Sequence, residues 1–494
     1  MRLTKIVATV GPATGCPSSD GRPDLLEQLI QAGVNVFRLN CAHGTPEEFS
    51  ERIARLRRAA QRLRRPVAVL VDLAGPKLRV GAVEGGQVTL VAGSLVEIAP
   101  GNDPGTPHRL TTSYPQLVDD VGPGSRILLD DGLIELVVKA KRGAGVLCQV
   151  VSGGVLGSHK GINLPGVRIS APTITDADRR FIDWAVTEGV DFLGLSFIRQ
   201  ADDVRELRAL LNERKGAAHI VAKIEKPEAV AELEAILDLT DGVMVARGDL
   251  GVEMPLEEVP LLQKHIIRLC QERQRPVITA TQMLESMMEH PRPTRAEVTD
   301  VANAVFDGTD ALMLSGETAV GKFPLAAVAL MDRIALQAER YLAEHPPATR
   351  SADFDATRPV MSALSEGAFH ISQLLKPDVV ALASPTGESA LLFSKERMSV
   401  PIVGVSTDPR AVARMCLYYG VRPVLAEKVG SLDDLFATAE QVALAEGLAQ
   451  AGDEMLLAAG DVTGLSEATS TLQVRRIPGA RRKARGRGHG KRGM

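Results

Sequence analysis

A lysine and two carboxylates at the ends of two successive apolar runs form the combination in this sequence best suited to catalysis. In "HIVAKIE" (219–225), Lys223 and Glu225 lie two residues apart, so a strand would present both side chains on one face. Asp249 follows the next run, "DGVMVARG" (241–248). Since neighbouring strands lie about 4.8 Å apart, Glu225 and Asp249 could hold one Mg²⁺ between them. Lys223 would then suit a phosphoryl group or a developing enolate; a buried Lys–Glu ion pair is the alternative.

Basic side chains follow other apolar runs and indicate an anionic substrate. Arg38 and Asn40 in "FRLNCAHG" also lie two residues apart, His43 comes in the following loop, and Arg79 lies beyond the third run. Guanidinium groups pair well with phosphate oxygens, so arginines and a lysine around one metal favour a substrate with several phosphates. The alternative is a set of solvated surface residues, as most of the 57 basic residues must be.

Hydroxyl and peptide groups end the later runs. Thr281 lies in "ITATQ" and Ser315 in "LSGET". Near a lysine and a metal, such hydroxyls could relay a proton or orient a carboxylate, although Thr and Ser end many strands. The peptide groups of "RGDLG" (247–251) could form a nest for an anion.

Eight short apolar runs, most of them followed by a stretch of helical periodicity, position these residues. The runs span 4–11, 34–40, 66–73, 190–197, 219–225, 241–248, 276–282 and 310–317. Apolar strands that alternate with helices form parallel sheets covered on both faces, and eight such units predict a closed (β/α)8 barrel. Active sites of such barrels lie at the carboxyl ends of the strands, where the residues named above are expected to meet.

Two segments depart from the barrel pattern. Between the third and fourth runs, short alternating stretches with glycine-rich turns predict an inserted all-β domain that covers the barrel mouth as a lid. After about residue 350, four further apolar runs alternate with helices and predict a separate α/β domain. We therefore predict a catalytic barrel over 1–76 plus 169–345, a lid over 77–168, an α/β domain over 350–474 and a basic, disordered tail over 475–494.

The composition is that of an ordinary globular protein, with 45% hydrophobic and 24% charged residues. No apolar run is long enough to predict a membrane span, and five scattered cysteines without a C-x-x-C pair are typical of a reduced, cytoplasmic protein. Residues 475–494 hold nine Lys/Arg and no acid, which leaves 48 basic against 61 acidic residues in the rest of the chain. This tail permits weak electrostatic contact with nucleic acid, but it has no aromatic side chain to stack on bases.

The longest of these patterns resemble the pyruvate kinase family. The motifs run in family order over about residues 1–420: "TKIVATVGPAT", "RLNCAHG", "DLAGPKLR", "DDGLIEL", "GSHKGINLPG", "AKIEKPEAV", "MVARGDLGVE", "TATQMLESM", "PRPTRAEVTDVANAVFDGTDALMLSGETA" and "SPTGESA". The resemblance implies a (β/α)8 TIM barrel with an inserted small β-barrel lid domain and a C-terminal α/β domain. It also implies transfer of the phosphoryl group of phosphoenolpyruvate to ADP, which gives pyruvate and ATP.

The same resemblance implies roles for individual residues. Glu225 and Asp249 would bind Mg²⁺ (or Mn²⁺), and Lys223 would stabilise the transferring phosphoryl group and the enolate. Arg38 would bind the phosphoryl group, and Thr281 with the peptide groups of Gly248 and Asp249 would bind the substrate carboxylate. Thr281 and Ser315 would lie on the route of the proton, and Asp131 would belong to the closing lid. The residues implied for the nucleotide are Asn40, His43, Arg79 and Lys160.

Two positions depart from the pattern of many family members. Ala42 stands where many have a serine whose hydroxyl helps to bind K⁺, and Lys77 stands where many have a glutamate. Members with this lysine are associated with independence from K⁺. We expect Lys77 to bring an ammonium group to a monovalent-cation site with Asn40 and Asp72, so that K⁺ is not required. The alternative is a surface lysine at the hinge of the lid.

The C-terminal domain resembles the part of the family that binds a phosphorylated effector at a helix N-terminus. The residues that match this pocket are Ser384, Thr386, Gly387 and Ser389. Glu388 and Glu467 oppose a second phosphate, which favours a monophosphate effector, or none, over fructose 1,6-bisphosphate. Family members are usually homotetramers, and the same is expected here.

Two other functions fit parts of the sequence. A catalytically inert barrel could bind RNA through the basic tail, although the catalytic set is intact. A lyase that uses phosphoenolpyruvate or pyruvate could share the barrel, but such lyases lack the inserted lid and the C-terminal domain.

Overall fold

The computed structural model describes residues 1–15, 24–345, 358–460 and 469–478. The chain divides into two compact units near residue 354. The strands, in chain order, are β1 (Lys5–Thr9), β2 (Val36–Asn40), β3 (Ala68–Asp72), β4 (Gln87–Leu90), β5 (Leu95–Pro100), β6 (Arg109–Thr112), β7 (Arg126–Leu129), β8 (Ile134–Arg142), β9 (Gly145–Ser152), β10 (Gly154–Gly157), β11 (Ile162–Asn163), β12 (Phe192–Leu195), β13 (His219–Ile224), β14 (Gly242–Ala246), β15 (Val277–Ala280), β16 (Ala311–Leu314), β17 (Val379–Ala383), β18 (Ile402–Ser406), β19 (Val421–Leu425), β20 (Glu454–Gly460) and β21 (Thr469–Arg476).

The helices cover the barrel and the C-terminal sheet. They are α1 (Pro12–Gly15), α2 (Leu25–Gln31), α3 (Pro46–Leu63), α4 (Leu117–Asp120), α5 (Asp176–Glu188), α6 (Ala201–Glu213), α7 (Pro227–Ala231), α8 (Leu233–Leu239), α9 (Arg247–Glu253), α10 (Val259–Glu272), α11 (Arg295–Phe306), α12 (Gly316–Ala319), α13 (Pro324–Glu344), α14 (Pro359–Leu375), α15 (Glu388–Lys395), α16 (Pro409–Met415) and α17 (Leu432–Ala445). Three long barrel helices, α3, α5 and α11, begin with a capping box that satisfies their first N–H groups.

Eight parallel strands close a barrel in the order β1, β2, β3, β12, β13, β14, β15, β16 and back to β1. Each predicted apolar run supplies one of them, so the prediction of a (β/α)8 barrel is confirmed. The strands are buried along almost their whole length because helices cover the outside and side chains fill the inside. Strands β3 and β12 are neighbours in the barrel, with Val71 opposite Leu193, although the lid is inserted between them in the sequence.

Four polar side chains at the amino-terminal end of the barrel form hydrogen bonds to neighbouring strands in a repeating pattern. Each immediately precedes the second, fourth, sixth or eighth barrel strand and accepts a hydrogen bond from a backbone N–H of the strand before it. The pairs are Asn35 with Ile6 (3.0 Å), Asp191 with Val69 (2.7 Å), Asp241 with Ile220 (2.7 Å) and Asp310 with Val277 (2.8 Å). Polar groups at this end of a barrel serve stability, whereas those at the opposite end serve chemistry.

The lid consists of two sheets. Strands β4 and β10 pair with each other, and β11, β7, β8, β9, β5 and β6 form a six-stranded sheet in that order. Bridges from Val80 to Thr112 and from Arg79 to Gly161 connect β6 and β11, the two edges of the six-stranded sheet, and the strands enclose the lid core as expected of a small β-barrel. The predicted domain limits stay predictions.

The C-terminal unit is a five-stranded sheet in the order β19, β18, β17, β20, β21, parallel except for β21. The sequence predicts the four parallel strands but not β21, which runs through Arg476 and so includes the first two residues assigned to the basic tail. Arg475 makes an ion pair with Asp433 of α17, at 2.5 Å. The rest of the tail, 479–494, lies outside the described residues.

No disulfide joins the four cysteines in the described part of the chain, all of which are buried: Cys41, Cys148, Cys270 and Cys416. Among the described helices, none has both the length and the apolar character needed to cross a membrane.

Candidate active site

Lys223 lies at the centre of a buried cluster at the carboxyl end of the barrel. Its side chain follows the inward face of β13, and only 8% of the residue is exposed. The ammonium Nζ lies 2.7 Å from Glu225 Oε1 and 3.4 Å from Asp72 Oδ1, and it donates a hydrogen bond to Ser196 Oγ at 2.7 Å. These three partners come from β3, from the residue after β12 and from the residue after β13, so the barrel geometry brings them together.

Arg38 at β2 approaches the same cluster from the other side. Its Nε donates to Asp72 Oδ2 at 2.8 Å, its second terminal nitrogen makes an ion pair with the same oxygen, and a third N–H is directed at Thr9 Oγ1, at 3.2 Å. A guanidinium group carries five N–H donors, so two donors remain for a substrate. Asp72 is therefore the shared counter-ion of Arg38 and Lys223.

The electrostatics of Asp72 follow from these partners. Burial alone would raise the pKa of Asp72, but Lys223 and Arg38 outweigh burial and lower it below its usual range. Burial alone would lower the pKa of the Lys223 ammonium group, but the carboxylates of Asp72 and Glu225 outweigh burial and raise it. Asp72 and Lys223 are therefore both charged at neutral pH in this cluster.

The donor set around Glu225 fits a hard divalent cation. Burial, together with the charge of Asp249, raises the pKa of Glu225 to about 7 against the opposing effect of Lys223. A cation between two mutually repelling carboxylates would relieve their repulsion, and Mg²⁺ is commonly held by one or two carboxylates plus water and substrate oxygens. Glu225 and Asp249 would hold the ion. The described residues contain no group of three or more metal ligands, so substrate and water would complete the shell.

Thr281 is held in a strained conformation next to Gly248. Its φ of 66° is unusual for a β-branched residue, and such strain is typical of functional sites. Thr281 Oγ1 accepts a hydrogen bond from the N–H of Gly248 at 2.7 Å and donates one to the carbonyl of Ala280 at 2.6 Å. Thr281 and Gly248, the residues predicted for the carboxylate, thus lie in direct contact.

Ser315 follows β16 and has a buried hydroxyl oxygen for which the described residues provide no hydrogen-bond partner. A buried unpaired hydroxyl costs free energy and calls for water or substrate. Its backbone N–H donates to Glu317, which also accepts from Leu284, and burial raises the pKa of Glu317. This orphaned hydroxyl supports the prediction of a proton route at Ser315.

The residues predicted for the nucleotide fall into two groups. Asn40 Oδ1 caps the turn after β2 by accepting from the N–H of Ala42 at 3.2 Å, and His43 is exposed in that turn. Burial and the charges of Lys77, Arg79 and Arg38 lower the pKa of His43, which shows that this side of the site is positively charged.

The second group belongs to the lid and its hinge. Arg79 donates to the carbonyl of His159 at 3.0 Å, and Lys160 makes a 2.9 Å ion pair with Asp130. Asp131 lines a cleft of about 740 Å³ between the lid and the barrel, together with Asp249 and Gln282 of the barrel and Arg126 of the lid. The cleft is large enough for a small ligand that reaches from lid to barrel.

Lys77 is exposed at the first hinge of the lid, where it lines the same cleft. Within the described residues no ion pair joins Lys77 to Asp72, since Asp72 faces Arg38 and Lys223. The structure thus brings Asn40 and Asp72 to neighbouring positions of β2 and β3. Lys77 would act on Asn40 and Asp72 through the electrostatic effect of its charge rather than through an ion pair.

Sequence reasoning missed three residues that shape the site. Ser196 binds Lys223, the N–H of Phe197 donates to Glu225 Oε2 at 2.7 Å from a backbone with a φ of 56°, and Arg247 donates to the carbonyl of Thr281 at 2.7 Å. Ser196 follows a predicted strand and could have been found by the same rule as Thr281. Phe197 acts through its backbone N–H, and the Arg247 side chain binds a backbone carbonyl. Neither contact gives a signal in the sequence.

In the C-terminal unit, the effector-phosphate residues lie at the start of α15. Ser384 is fully buried and accepts a hydrogen bond from the N–H of Ala390 at 3.1 Å, so it supports the helix rather than facing a ligand. Gly387, with a φ of 92°, is the N-cap residue and has no side chain, and Thr386 Oγ1 accepts from the N–H of Glu388 at 3.4 Å. Glu388 lies 3.2 Å from Arg358 in an ion pair. Glu467 lies outside the described residues.

The fold and the site together define a (β/α)8-barrel enzyme with a lid, built to bind an anionic substrate with a divalent cation. The family model for "Pyruvate kinase, barrel domain" matches residues 1–328, and the model for "Pyruvate kinase, alpha/beta domain" matches residues 362–475. The chain belongs to the pyruvate kinase family, and it is a phosphotransferase.

Relatives named pyruvate kinase match almost the whole chain. The protein of Geobacillus stearothermophilus is 44% identical over 493 residues, which cover 99% of this chain and 82% of the relative. The protein of Clostridium acetobutylicum is 40% identical over 482 residues, which cover 96% of this chain and 99% of the relative. The protein of Sporosarcina psychrophila is 40% identical over 494 residues, which cover 99% of this chain and 83% of the relative.

Proposed function

We propose that this enzyme transfers the phosphoryl group of phosphoenolpyruvate to ADP in glycolysis, forming pyruvate and ATP, with Mg²⁺ (or Mn²⁺) and without a requirement for K⁺. The observation that carries the proposal is the cluster at the carboxyl end of the barrel. There, Lys223 makes ion pairs with Glu225 and Asp72, Arg38 makes one with Asp72, and the charge of Asp249 acts on Glu225. A coupled assay with lactate dehydrogenase, phosphoenolpyruvate and ADP tests it, and the absence of ADP-dependent pyruvate formation would contradict it.

Phosphoryl transfer depends mainly on positioning and charge neutralisation, and the residues of the cluster supply both. Lys223 and the two remaining donors of Arg38 bind the transferring phosphoryl oxygens. When bound, the divalent cation supplies further positive charge to those oxygens. Lys223 then stabilises the enolate oxygen that remains after the transfer.

The carboxylate of the substrate binds at Thr281 and the Gly248 peptide, and it takes over the Gly248 N–H from Thr281 Oγ1 and the Thr281 O–H from the Ala280 carbonyl. Before the substrate binds, Thr281 Oγ1 is engaged with two backbone groups, which fix its position. The Ser315 hydroxyl, without a partner among the described residues, supplies the polar end of a route by which a proton reaches the carbon of the enol. Protonation of the enol makes the overall transfer strongly favourable.

The nucleotide binds on the positive side of the site, between the barrel and the lid. Asn40 and His43 offer contacts from the turn after β2, while Arg79 and Lys160 offer cations for phosphates. Lys160 exchanges Asp130 for a phosphate when ADP binds, and Asp131 moves with the closing lid. The support for this assignment is the set of cations near His43, since Lys77, Arg79 and Arg38 add to the effect of burial in lowering the pKa of His43.

The proposal of independence from K⁺ rests on the residues around Asp72. Ala42 has no hydroxyl to bind a monovalent cation, and Asp72 has Arg38 and Lys223 as its partners. Lys77, whose charge acts on His43, brings a permanent positive charge to the nucleotide side. Arg38, Lys223 and Lys77 thus supply from the chain the charge that K⁺ would add.

We expect the initial rate with Mg²⁺ in Tris or sodium buffer to be unchanged by added KCl. In Lys77→Glu, we expect a low rate without K⁺ that KCl partly restores, because the substitution replaces the tethered cation by an acid. The same assay on Lys141→Glu, an exposed lid lysine, controls for the general effect of charge reversal. Activation of the unsubstituted enzyme by K⁺ of more than about tenfold, or 1.4 kcal/mol, would contradict the proposal.

The C-terminal unit is proposed to bind a phosphorylated small molecule with one phosphate. Thr386, Gly387 and Ser389 lie at the start of α15, whose N-cap residue is Gly387. We expect a sugar monophosphate such as ribose 5-phosphate to lower the KM for phosphoenolpyruvate, and fructose 1,6-bisphosphate to have the smaller effect. Thr386→Ala should reduce the activation. Stronger activation by the bisphosphate would contradict the choice of a monophosphate.

The remaining proposals concern assembly and location. We propose a homotetramer in the cytoplasm, as the resemblance to the family implies, with nucleic acid bound at most weakly through the basic tail. Sedimentation equilibrium measures the mass of the assembly, and a monomer at micromolar concentration would contradict the tetramer.

A further inference from the structure

A second pair of charges joins the same two elements that carry the candidate metal ligands. Lys226 directly follows Glu225 after β13, and Glu253 ends α9, four residues after Asp249. Residues four apart on a helix lie on the same face, so Asp249 and Glu253 both face the end of β13. Lys226 Nζ lies 2.6 Å from Glu253 Oε1.

This pair is built into the interior of the protein. Lys226 is 4% exposed and Glu253 is 7% exposed, and Asn163 of the lid also donates to Glu253 Oε1, at 3.0 Å. Lys226, Asn163 and Asp249 line one cavity of about 20 Å³, which has room for about one water molecule. A buried, additionally hydrogen-bonded ion pair has a fixed geometry, in contrast to a pair of surface charges.

Two pairs of charged residues connect the end of β13 with α9. When no cation is bound, the first pair is repulsive and the second is attractive. Glu225 and Asp249 repel each other, because the charge of the half-buried Asp249 acts on the buried carboxylate of Glu225. Lys226 and Glu253 attract each other between the same two parts of the chain, one residue after Glu225 and one helical turn after Asp249. The attraction therefore opposes the separation of the two carboxylates.

We infer that the Lys226–Glu253 ion pair is a strut that sets the separation of Glu225 and Asp249 and so prepares them for the divalent cation. Lys226 and Glu253 are positioning residues in this account, since neither is placed on the reacting atoms. Because Asn163 binds the same oxygen of Glu253, the strut also connects the metal carboxylates to the last strand of the lid. The inference rests on the proposed role of Glu225 and Asp249 as metal ligands.

The test is the binding of Mn²⁺ to the whole enzyme, measured without substrate by the electron paramagnetic resonance signal of the free ion. We expect Lys226→Met to raise the dissociation constant of Mn²⁺ by about tenfold or more, as is typical when a group that orients a metal ligand is removed. Lys264→Met is the matched control, because Lys264 makes an ion pair with Asp307 on the outside of the barrel. We expect this control to bind Mn²⁺ as the unsubstituted enzyme does.

Loss of Lys226 leaves Glu253 buried without its cation, so a general loss of stability must be separated from the effect on the metal. The double variant Lys226→Met/Glu253→Leu removes both charges and should melt close to the unsubstituted enzyme. We expect it to keep the weakened binding of Mn²⁺. Normal Mn²⁺ affinity in this variant, or in Lys226→Met, would overturn the inference.

Glu225→Gln separates the strut from the metal site itself. If Glu225→Gln abolishes Mn²⁺ binding while Lys226→Met leaves it unchanged, the metal site stands and the strut is wrong. If Glu225→Gln binds Mn²⁺ normally, the proposed metal ligands are wrong, and the strut has no function to explain.

Discussion

Lys223→Met is expected to lower kcat by about a thousandfold or more, because it removes the positive charge that faces both the phosphoryl oxygens and the enolate. The substituted side chain is of similar length, so the barrel should keep its fold. Turnover is measured with the coupled assay, and folding is measured by circular dichroism and thermal melting.

The neighbours of Lys223 make the result informative. Glu225 and Asp72 lose a cation partner, and Ser196 loses a donor. The KM for ADP should change little, since the predicted nucleotide residues lie elsewhere. Lys264→Met, which removes an exposed lysine outside the site, should keep full activity. A Lys223→Met enzyme with more than about a tenth of normal kcat would contradict the assigned role.

Asp72→Asn is expected to affect stability and substrate binding together. Asp72 is 1% exposed and is the common counter-ion of Arg38 and Lys223, so its neutralisation leaves two buried cations with less compensation. Removing one partner of a buried ion pair typically costs about 3–5 kcal/mol of unfolding free energy. We also expect kcat/KM for phosphoenolpyruvate to fall by at least about tenfold, because Arg38 loses the partner that orients it.

The pH dependence of this effect has a definite sign. Lys223 and Arg38 hold the pKa of Asp72 below its usual range, and so below its value in the unfolded chain. The ionised carboxylate therefore stabilises the fold above the unfolded pKa of about 3.9, and this contribution is lost as the pH falls through the lower, folded pKa. The difference in urea unfolding free energy between the unsubstituted enzyme and Asp72→Asn should be constant near pH 7 and shrink on acidification.

Asp241→Asn is the matched control for Asp72→Asn. Asp241 also accepts a backbone N–H of a barrel strand, from Ile220, and makes an ion pair with Arg208, but it lies at the opposite end of the barrel. This variant should lose stability while its KM for phosphoenolpyruvate stays unchanged. If both variants changed KM equally, Asp72 would act through the stability of the barrel alone.

The barrel could be predicted because its signal is local. Each strand is a short apolar run followed by a helical period, and the polar residue at its carboxyl end is visible in the sequence. Lys223 and Glu225 share a face because side chains alternate along any strand. For the same reason, Thr281 and Ser315 could be named from their positions at strand ends. The lid and the C-terminal domain could be recognised because the pattern of apolar runs and helical periods changes at their boundaries.

The ion pairs within the site could not be predicted, because the sequence does not show which of several nearby charged side chains come into contact. From the sequence, Asp72 and Lys77 lie five residues apart and suggest a pair, whereas the structure gives Asp72 to Arg38 and Lys223, which the barrel register brings to it. The strained φ of Thr281 depends in the same way on contacts between segments distant in the chain.

The amino-acid sequence by itself determined the class of fold, the family and the residues able to do the chemistry, since these follow from periodicity and from residue types at strand ends. Only the tertiary structure decided that one buried aspartate serves two cations, that the hydroxyl of Ser315 is left without a partner among the described residues, and that Lys226 and Glu253 cross the gap beside the metal carboxylates. The physical reason is that strand register and burial, rather than sequence spacing, fix the distances at which charges interact.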